Sequence, residues 1–229
     1  MKDKLDIEFV KSPNYSKGRN GKKIIAICNH ITAGKYPGCQ SWLCNPNAKA
    51  SSNYIITRTG KIIQLVKDED TAWANGGVSK PSWTLYDGTN PNRYTISIEH
   101  EGYGSNGGDG NLTEQQYQAT LWLHRYLINK WNIPIDKNHI IGHYQIDSVN
   151  RPNCPGKAFP WDRLMKDLTS GVIDDMLEKW QEDMGKNAVK NLAKMGLLNS
   201  PEYWEKKLGE KTENWIFFEM IKKLAEKIK

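Results

Sequence analysis

Residues 93–102 read RYTISIEHEG, and this stretch decides the fold. Tyr94, Ile96 and Ile98 alternate with Thr95, Ser97 and Glu99, the period of two that an extended strand imposes on its side chains. Glu99 closes the alternation, so a carboxylate stands at a strand end. Further short strands lie on either side. Residues 22–30, KKIIAICNH, form an apolar run that ends on His30. Residues 51–66, SSNYIITRTGKIIQLV, hold two β-branched runs joined around Thr59 and Gly60, a hairpin. Residues 137–143, KNHIIGH, make a short strand that ends on His143. Residues 111–131, NLTEQQYQATLWLHRYLINKW, read as a helix: Thr113 and Gln116 fit a capping box, and Tyr117, Leu121, His124 and Ile128 share one face. DRLMKDL (162–168) adds a closing helix. Strands interleaved with a long helix predict an α/β class: a central mixed β-sheet flanked by helices.

Composition shifts at TSGV (169–172). Beyond it, Leu177, Trp180, Met184, Ala188, Leu192 and Met195 fall near helical spacing, Gly196 stops that helix, and Ser200-Pro201 opens another. Trp215, Phe218, Ile221, Leu224 and Ile228 mark a last amphipathic helix. The expected organisation is therefore a domain over residues 1–169 and a small all-α domain over 170–229. Trp180, Trp204 and Trp215 serve either as the core of that unit or as part of an anchoring surface.

The chain has 229 residues, 38% of them hydrophobic, with 9 Trp and 10 Tyr, enough for a substantial core. Its net charge of +6 draws nucleic acid, acidic membrane surfaces and anionic wall polymers alike. No basic patch interleaved with aromatics stands out in the first domain, so nucleic acid has charge alone behind it. No run approaches the roughly 20 apolar residues of a membrane span. The start, MKDKLDIEFVKSPNYSKG, shows no signal peptide, so the expectation is a protein made in the cytoplasm.

Cys28 lies in an apolar strand and reads as a small buried hydrophobe. Cys39 and Cys44 frame CQSWLC in a loop, either as two thiols or as a bridge. Cys154 stands in the polar loop after His143. His30, Glu99 and His143 each sit at the end of a strand, and ends of neighbouring strands converge. Two imidazoles and a thiolate make a three-ligand set for Zn²⁺ with a fourth position open, and a carboxylate beside it is placed to act as a base. Glu101, on the same face as Glu99, competes for that role. His100, His124 and His139 read as structural. Trp73, Trp83 and Tyr103 lie in loops, for packing or for stacking on sugars.

CNHITAG, NYIITRTGKIIQLVKDEDTAWANG, TISIEHEG, LTEQQYQATLWLHRYL, HIIGHYQI and CPGKAFPWDRL occur in that order. Over residues 20–168 they resemble the zinc-dependent N-acetylmuramoyl-L-alanine amidases of the type-2 amidase and peptidoglycan-recognition superfamily. The resemblance implies zinc held by His30, His143 and Cys154, and a water polarised by Glu99. It implies a reaction-centre tyrosine at Tyr54, and hydrolysis of the bond between N-acetylmuramic acid and L-alanine in bacterial peptidoglycan. In many members a lysine two residues before the third ligand holds the developing oxyanion. Pro152 stands there, leaving Arg151 or Lys157 as substitutes. A loop disulfide in the recognition proteins has an echo in Cys39 and Cys44. The resulting expectation is a bacterial or phage cell-wall lytic enzyme, an endolysin or autolysin, that reaches the wall through a lesion made by another protein or by a non-signal route. A non-catalytic peptidoglycan binder and a cytosolic muropeptide-recycling amidase are the alternatives.

Overall fold

The computed structural model describes residues 7–102, 109–170, 179–206 and 208. In chain order its strands are β1 (Ile7–Phe9), β2 (Tyr15–Ser16), β3 (Ala26–Ile31), β4 (Tyr54–Ile56), β5 (Ile62–Gln64), β6 (Thr71–Ala72), β7 (Thr95–His100) and β8 (Ile140–Gly142). Its helices are α1 (Gly38–Leu43), α2 (Glu114–Trp131), α3 (Trp161–Thr169), α4 (Lys179–Lys194) and α5 (Pro201–Glu205).

Every residue of β3 is buried, as expected of a strand covered on both faces. It runs parallel between β7 and β8, and β7 in turn pairs in parallel with β4. The chain reverses after β4, so β5 is antiparallel to it, and β1 completes a mixed six-stranded sheet of order β1-β5-β4-β7-β3-β8. β2 and β6 form a separate two-stranded ladder. The three-residue β1, half-exposed to exposed, carries too little pattern to be read from sequence.

One face of the sheet presents Ile27, Tyr54, Ile56, Ile62, Ile96 and Ile98 to Tyr117, Leu123 and Leu127 of α2. The other face buries Ile55, Ile63 and Leu65 under Cys39 and Leu43, and Ala26, Cys28 and Ile141 under Trp83 and Tyr94. Half of the expected capping box forms: Thr113 Oγ1 accepts from Gln116 N at 3.1 Å. The Gln116 amide instead donates to the carbonyls of Ile56 and Glu101, both at 3.0 Å, and so pins the helix start to the sheet. At the far end of α2, Lys130 Nζ and Trp131 Nε1 donate to fully buried Asp68, at 2.8 and 3.1 Å. α3 is held to α2 by a bidentate Arg163–Glu114 pair at 2.7 and 2.8 Å.

The chain divides into two compact units between Thr169 and Ser170. In the second, Gly196 takes φ +65° after α4, and Pro201 occupies the first turn of α5. Among the described residues of this unit Val189 and Leu198 are buried and Leu192 is half-buried, whereas Ala188 and Met195 of the expected apolar face are exposed. Leu177 and the Trp215–Ile228 stretch lie outside the described residues, as do the side chains of Trp180 and Met184. Among the described residues no helix is long and apolar enough to cross a membrane.

Candidate active site

Parallel register puts His30 of β3 directly beside Glu99 of β7, and Asn29 beside Gly142 of β8. The next residue after Gly142 is His143, so three polar side chains meet at the carboxyl ends of adjacent parallel strands, where open α/β sheets form their ligand crevices. The loop that follows is folded back onto this edge. The Asp147 carboxylate accepts from the amides of Val149 and Asn150 at 3.2 and 2.9 Å, Cys154 N donates to Arg151 O at 3.1 Å, and Tyr144 N donates to Cys154 O at 3.1 Å. Gly156 completes the loop at φ +130°, and a Cβ there would meet Gly110 N at 2.3 Å. Only glycine lets the two backbones approach this closely.

The ligand atoms of His30, His143 and Cys154 all lie within 4.8 Å of one another, and all three residues are buried. The two Nδ1 atoms stand 3.0 Å apart. His143 Nε2 is 3.1 Å from the carbonyl oxygen of Asn75. A carbonyl only accepts, so Nε2 carries the proton and Nδ1 offers its lone pair to the cluster. A second imidazole nitrogen at 3.0 Å from that lone pair needs a proton or a cation between them.

Burial, then the neighbouring His143, holds the proton affinity of His30 well below the ordinary histidine value. Burial also lowers that of His143. Burial and then the Glu99 charge push the Cys154 thiol up to about 12. Burial also raises Glu99 to about 8, against the opposing charge of Arg151. Glu99 Oε2 and His30 Nε2 are enclosed and without a hydrogen-bond partner among the described residues. Neutral imidazoles, a thiol that a cation would deprotonate and an enclosed carboxylate beside them fit a borderline-soft divalent ion held by three protein ligands. A cleft of about 710 Å³ lined by Thr32, Lys35, Tyr36, Trp42 and Leu43 opens against Glu99.

Tyr54 is a correction. β4 pairs Tyr54 with Ile98 and Ile55 with Glu99, so Tyr54 points to the opposite face of the sheet. Its buried hydroxyl donates to Asp68 Oδ1 at 2.7 Å, beneath α2, and cannot reach a substrate at the His30 edge. Glu101, the rival to Glu99, is fully engaged: its carboxylate accepts from the amides of Tyr36 and Arg58 at 2.9 and 2.8 Å. Cys39 and Cys44 stand as free thiols. His100 bridges His30 O and Thr120, His124 contacts Thr120 O, and His139 pairs with Asp136. Trp83 is packed on Tyr94, and Trp73 is bonded through Nε1 to Ser16; Tyr103 lies outside the described residues. Pro152 is exposed and brings no donor, while the charge of Arg151 acts on Glu99, His30, His143 and Cys154. Asn75, inside TAWANGG, escaped the sequence reading, because its backbone carbonyl rather than its side chain makes the contact with His143.

The fold and this edge suit hydrolysis assisted by a metal. Residues 20–157 match the family described as N-acetylmuramoyl-L-alanine amidase, and the chain belongs to that family of peptidoglycan-cleaving hydrolases. N-acetylmuramoyl-L-alanine amidase A of Achromobacter lyticus is 28% identical over 177 residues, covering 70% of this chain and 90% of the relative. The 1,6-anhydro-N-acetylmuramyl-L-alanine amidase AmpD of Haemophilus influenzae is 31% identical over 121 residues, 52% of this chain and 59% of that relative. The fold is shared with a selenomethionine derivative of AmpD, with TM-score 0.58 and 24% identity over 73% of this chain and 97% of that one. It is also shared with the amidase AmiD from E. coli in complex with anhydro-N-acetylmuramic acid-L-Ala-D-gamma-Glu-L-Lys, with TM-score 0.54 and 19% identity over 87% of this chain and 75% of that one.

Proposed function

We propose that the chain is a zinc-dependent lytic amidase acting on polymeric peptidoglycan, with His30, His143 and Cys154 as the metal ligands and Glu99 as the catalytic carboxylate. The observation that carries this reading is the buried His30–His143–Cys154 cluster flanked by the enclosed Oε2 of Glu99. When bound, zinc supplies Lewis acidity, acidifying a water and polarising the scissile carbonyl. Glu99 takes the proton of the attacking water and hands it to the departing L-alanine nitrogen. Arg151 brings positive charge to the edge where negative charge develops on the carbonyl oxygen, the office that Pro152 cannot fill. The exposed Trp42 and the rest of the 710 Å³ cleft give the glycan and stem peptide a wall to lie against.

A lytic rather than a recycling role is favoured by the second compact unit, residues 170–229, which lies beyond the matched residues 20–157. In this reading residues 1–169 are the catalytic domain, and residues 170–229 are a wall-targeting helical domain. The protein then acts as an endolysin or autolysin on the wall outside the cytoplasm. The second reading, a cytosolic recycling amidase, rests on the identity to AmpD. Mass spectrometry of digests separates the two. Intact sacculi releasing stem peptides that start with L-alanine, with release lost in a chelator, support the lytic reading. Cleavage of soluble anhydro-muropeptides alone supports recycling, and no cleavage of either refutes both.

A further inference from the structure

Asn75 is fully buried, and its backbone carbonyl receives His143 Nε2 at 3.1 Å. Its side-chain orientation follows from its neighbour. The Thr95 hydroxyl donates to Pro91 O at 2.9 Å, so it can only accept from the Asn75 amide, whose Nδ2 lies 3.0 Å away. The nitrogen of the amide therefore faces Thr95, and Oδ1 faces the other way. Asn75 Oδ1 is an enclosed acceptor with no partner in hydrogen-bond geometry among the described residues, and His30 Nε2 is an enclosed ring nitrogen in the same condition. Both residues lie against the same ring, since His143 has its Nδ1 3.0 Å from His30 Nδ1 and its Nε2 3.1 Å from Asn75 O. The segment itself is anchored: the amides of Ala74 and Asn75 both donate to Asn92 Oδ1, at 3.1 and 2.9 Å.

We propose that Asn75 is the positioning residue of the metal centre. Its carbonyl takes the Nε2 proton of His143, and its side-chain oxygen takes the Nε2 proton of His30. One residue thereby sets both tautomers and turns both Nδ1 atoms to a common point. This rests on the reading that His30, His143 and Cys154 hold zinc. Metal-ligating histidines are routinely fixed through the second ring nitrogen, and loss of such a partner costs about 10–100-fold in metal affinity. Here the two tethers are unequal: a substitution at position 75 removes the one to His30 and leaves the one to His143.

The test is zinc affinity by chelator competition for the wild type, Asn75→Ala, Asn75→Asp and Thr95→Val, each checked for folding in its metal-free form. A second readout is the visible spectrum of the cobalt-substituted proteins. The expected result is zinc binding weakened about 10–100-fold in Asn75→Ala with an altered cobalt spectrum, and near wild-type behaviour in Asn75→Asp, which keeps the acceptor. Thr95→Val, which frees the amide to rotate, falls between. Wild-type affinity and spectrum in Asn75→Ala overturn the proposal and leave the metal reading intact. If Asn75→Ala does not fold, unchanged affinity in Thr95→Val overturns it equally. Failure of the wild-type protein to bind zinc overturns the metal reading and this proposal with it.

Discussion

Replacing Glu99 and Glu101 in turn by glutamine separates two carboxylates that share a strand face but not a task. Glu101 joins the loop before α1 to the hairpin turn through two amide donors at 2.9 and 2.8 Å. Hydrogen bonds to a charged group contribute about 1.5–3 kcal/mol each. Glutamine keeps one acceptor and turns an N–H against the other donor, so Glu101→Gln costs about 2–4 kcal/mol. In a domain of this size that is a fall of about 5–15 °C in Tm. Glu99 has the reverse character. In the metal-free protein at pH 7 its unfolded carboxyl, near 4.5, is ionised, while the folded one, raised to about 8 by burial, is mostly not; a cation on the neighbouring ligands would favour the charged form that acts as base. A carboxyl whose folded pKa is raised favours folding least at high pH: the penalty is absent below the unfolded value, grows through the window up to about 8, and reaches at most about 3 kcal/mol at pH 7. Metal-free Glu99→Gln is therefore as stable as the wild type or more so at pH 7, and the gain disappears at pH 4. Its rate of stem-peptide release falls about 10²–10⁴-fold, the usual contribution of a general base. Thermal melts at the two pH values and mass spectrometry of digests measure both quantities. A Glu101→Gln protein with wild-type Tm and no activity, or a Glu99→Gln protein that melts early and still cleaves, refutes the assignment.

Gly156→Ala places a Cβ at 2.3 Å from Gly110 N on a backbone at φ +130°, so the loop bearing Cys154 must shift. We expect a loss of about 2–4 kcal/mol, read by urea unfolding, together with weaker zinc binding. Arg151→Gln removes the charge that lowers the Glu99 pKa; the acid limb of the pH–rate profile then moves to higher pH, and an unmoved limb counts against Arg151 as the charge partner of the site. Burial lowers His100 to about 3 and His124 to about 4, so both stay neutral in the folded protein while the unfolded chain takes up protons below about 6.5. Stability is full above that value and is lost as pH falls towards 4, by about 4 kcal/mol at pH 5 for the pair, measured by urea unfolding at pH 7 and 5. A flat dependence contradicts the neutral burial of both rings.

His30, Glu99 and His143 were readable as a group because each ends an apolar strand run, and parallel neighbours bring such ends together whatever lies between them. Tyr54 was not readable in the same way. Whether it shares the face of Glu99 or of Ile98 depends on the pairing of β4 with β7, and a register shift of one residue reverses the answer. The division of labour between Glu99 and Glu101 was hidden for another reason: the amides of Tyr36 and Arg58 that engage Glu101 come from two distant loops. Asn75 meets His143 through a backbone atom, which carries no residue signature. In the second unit the apolar spacing around Ala188 and Met195 indicated a helix, but which side of it packs is decided by partners that spacing does not name.

β3 lies between two strands that are both made after it. Its partner β7 follows by about 70 residues and β8 by 113, as the pairings of His30 with Glu99 and of Ile27 with Ile140 show. At synthesis rates of about 5–20 residues per second, the segment AICNHI leaves the ribosome roughly 6–20 s before the last strand that must cover its edge. During that interval it is an apolar strand with open hydrogen-bonding edges, the form most prone to pair with another nascent chain. The central position that makes β3 the backbone of the site in the finished protein makes it the aggregation hazard of the growing one. Such distant pairings also place the domain among slow folders, in the millisecond-to-second range.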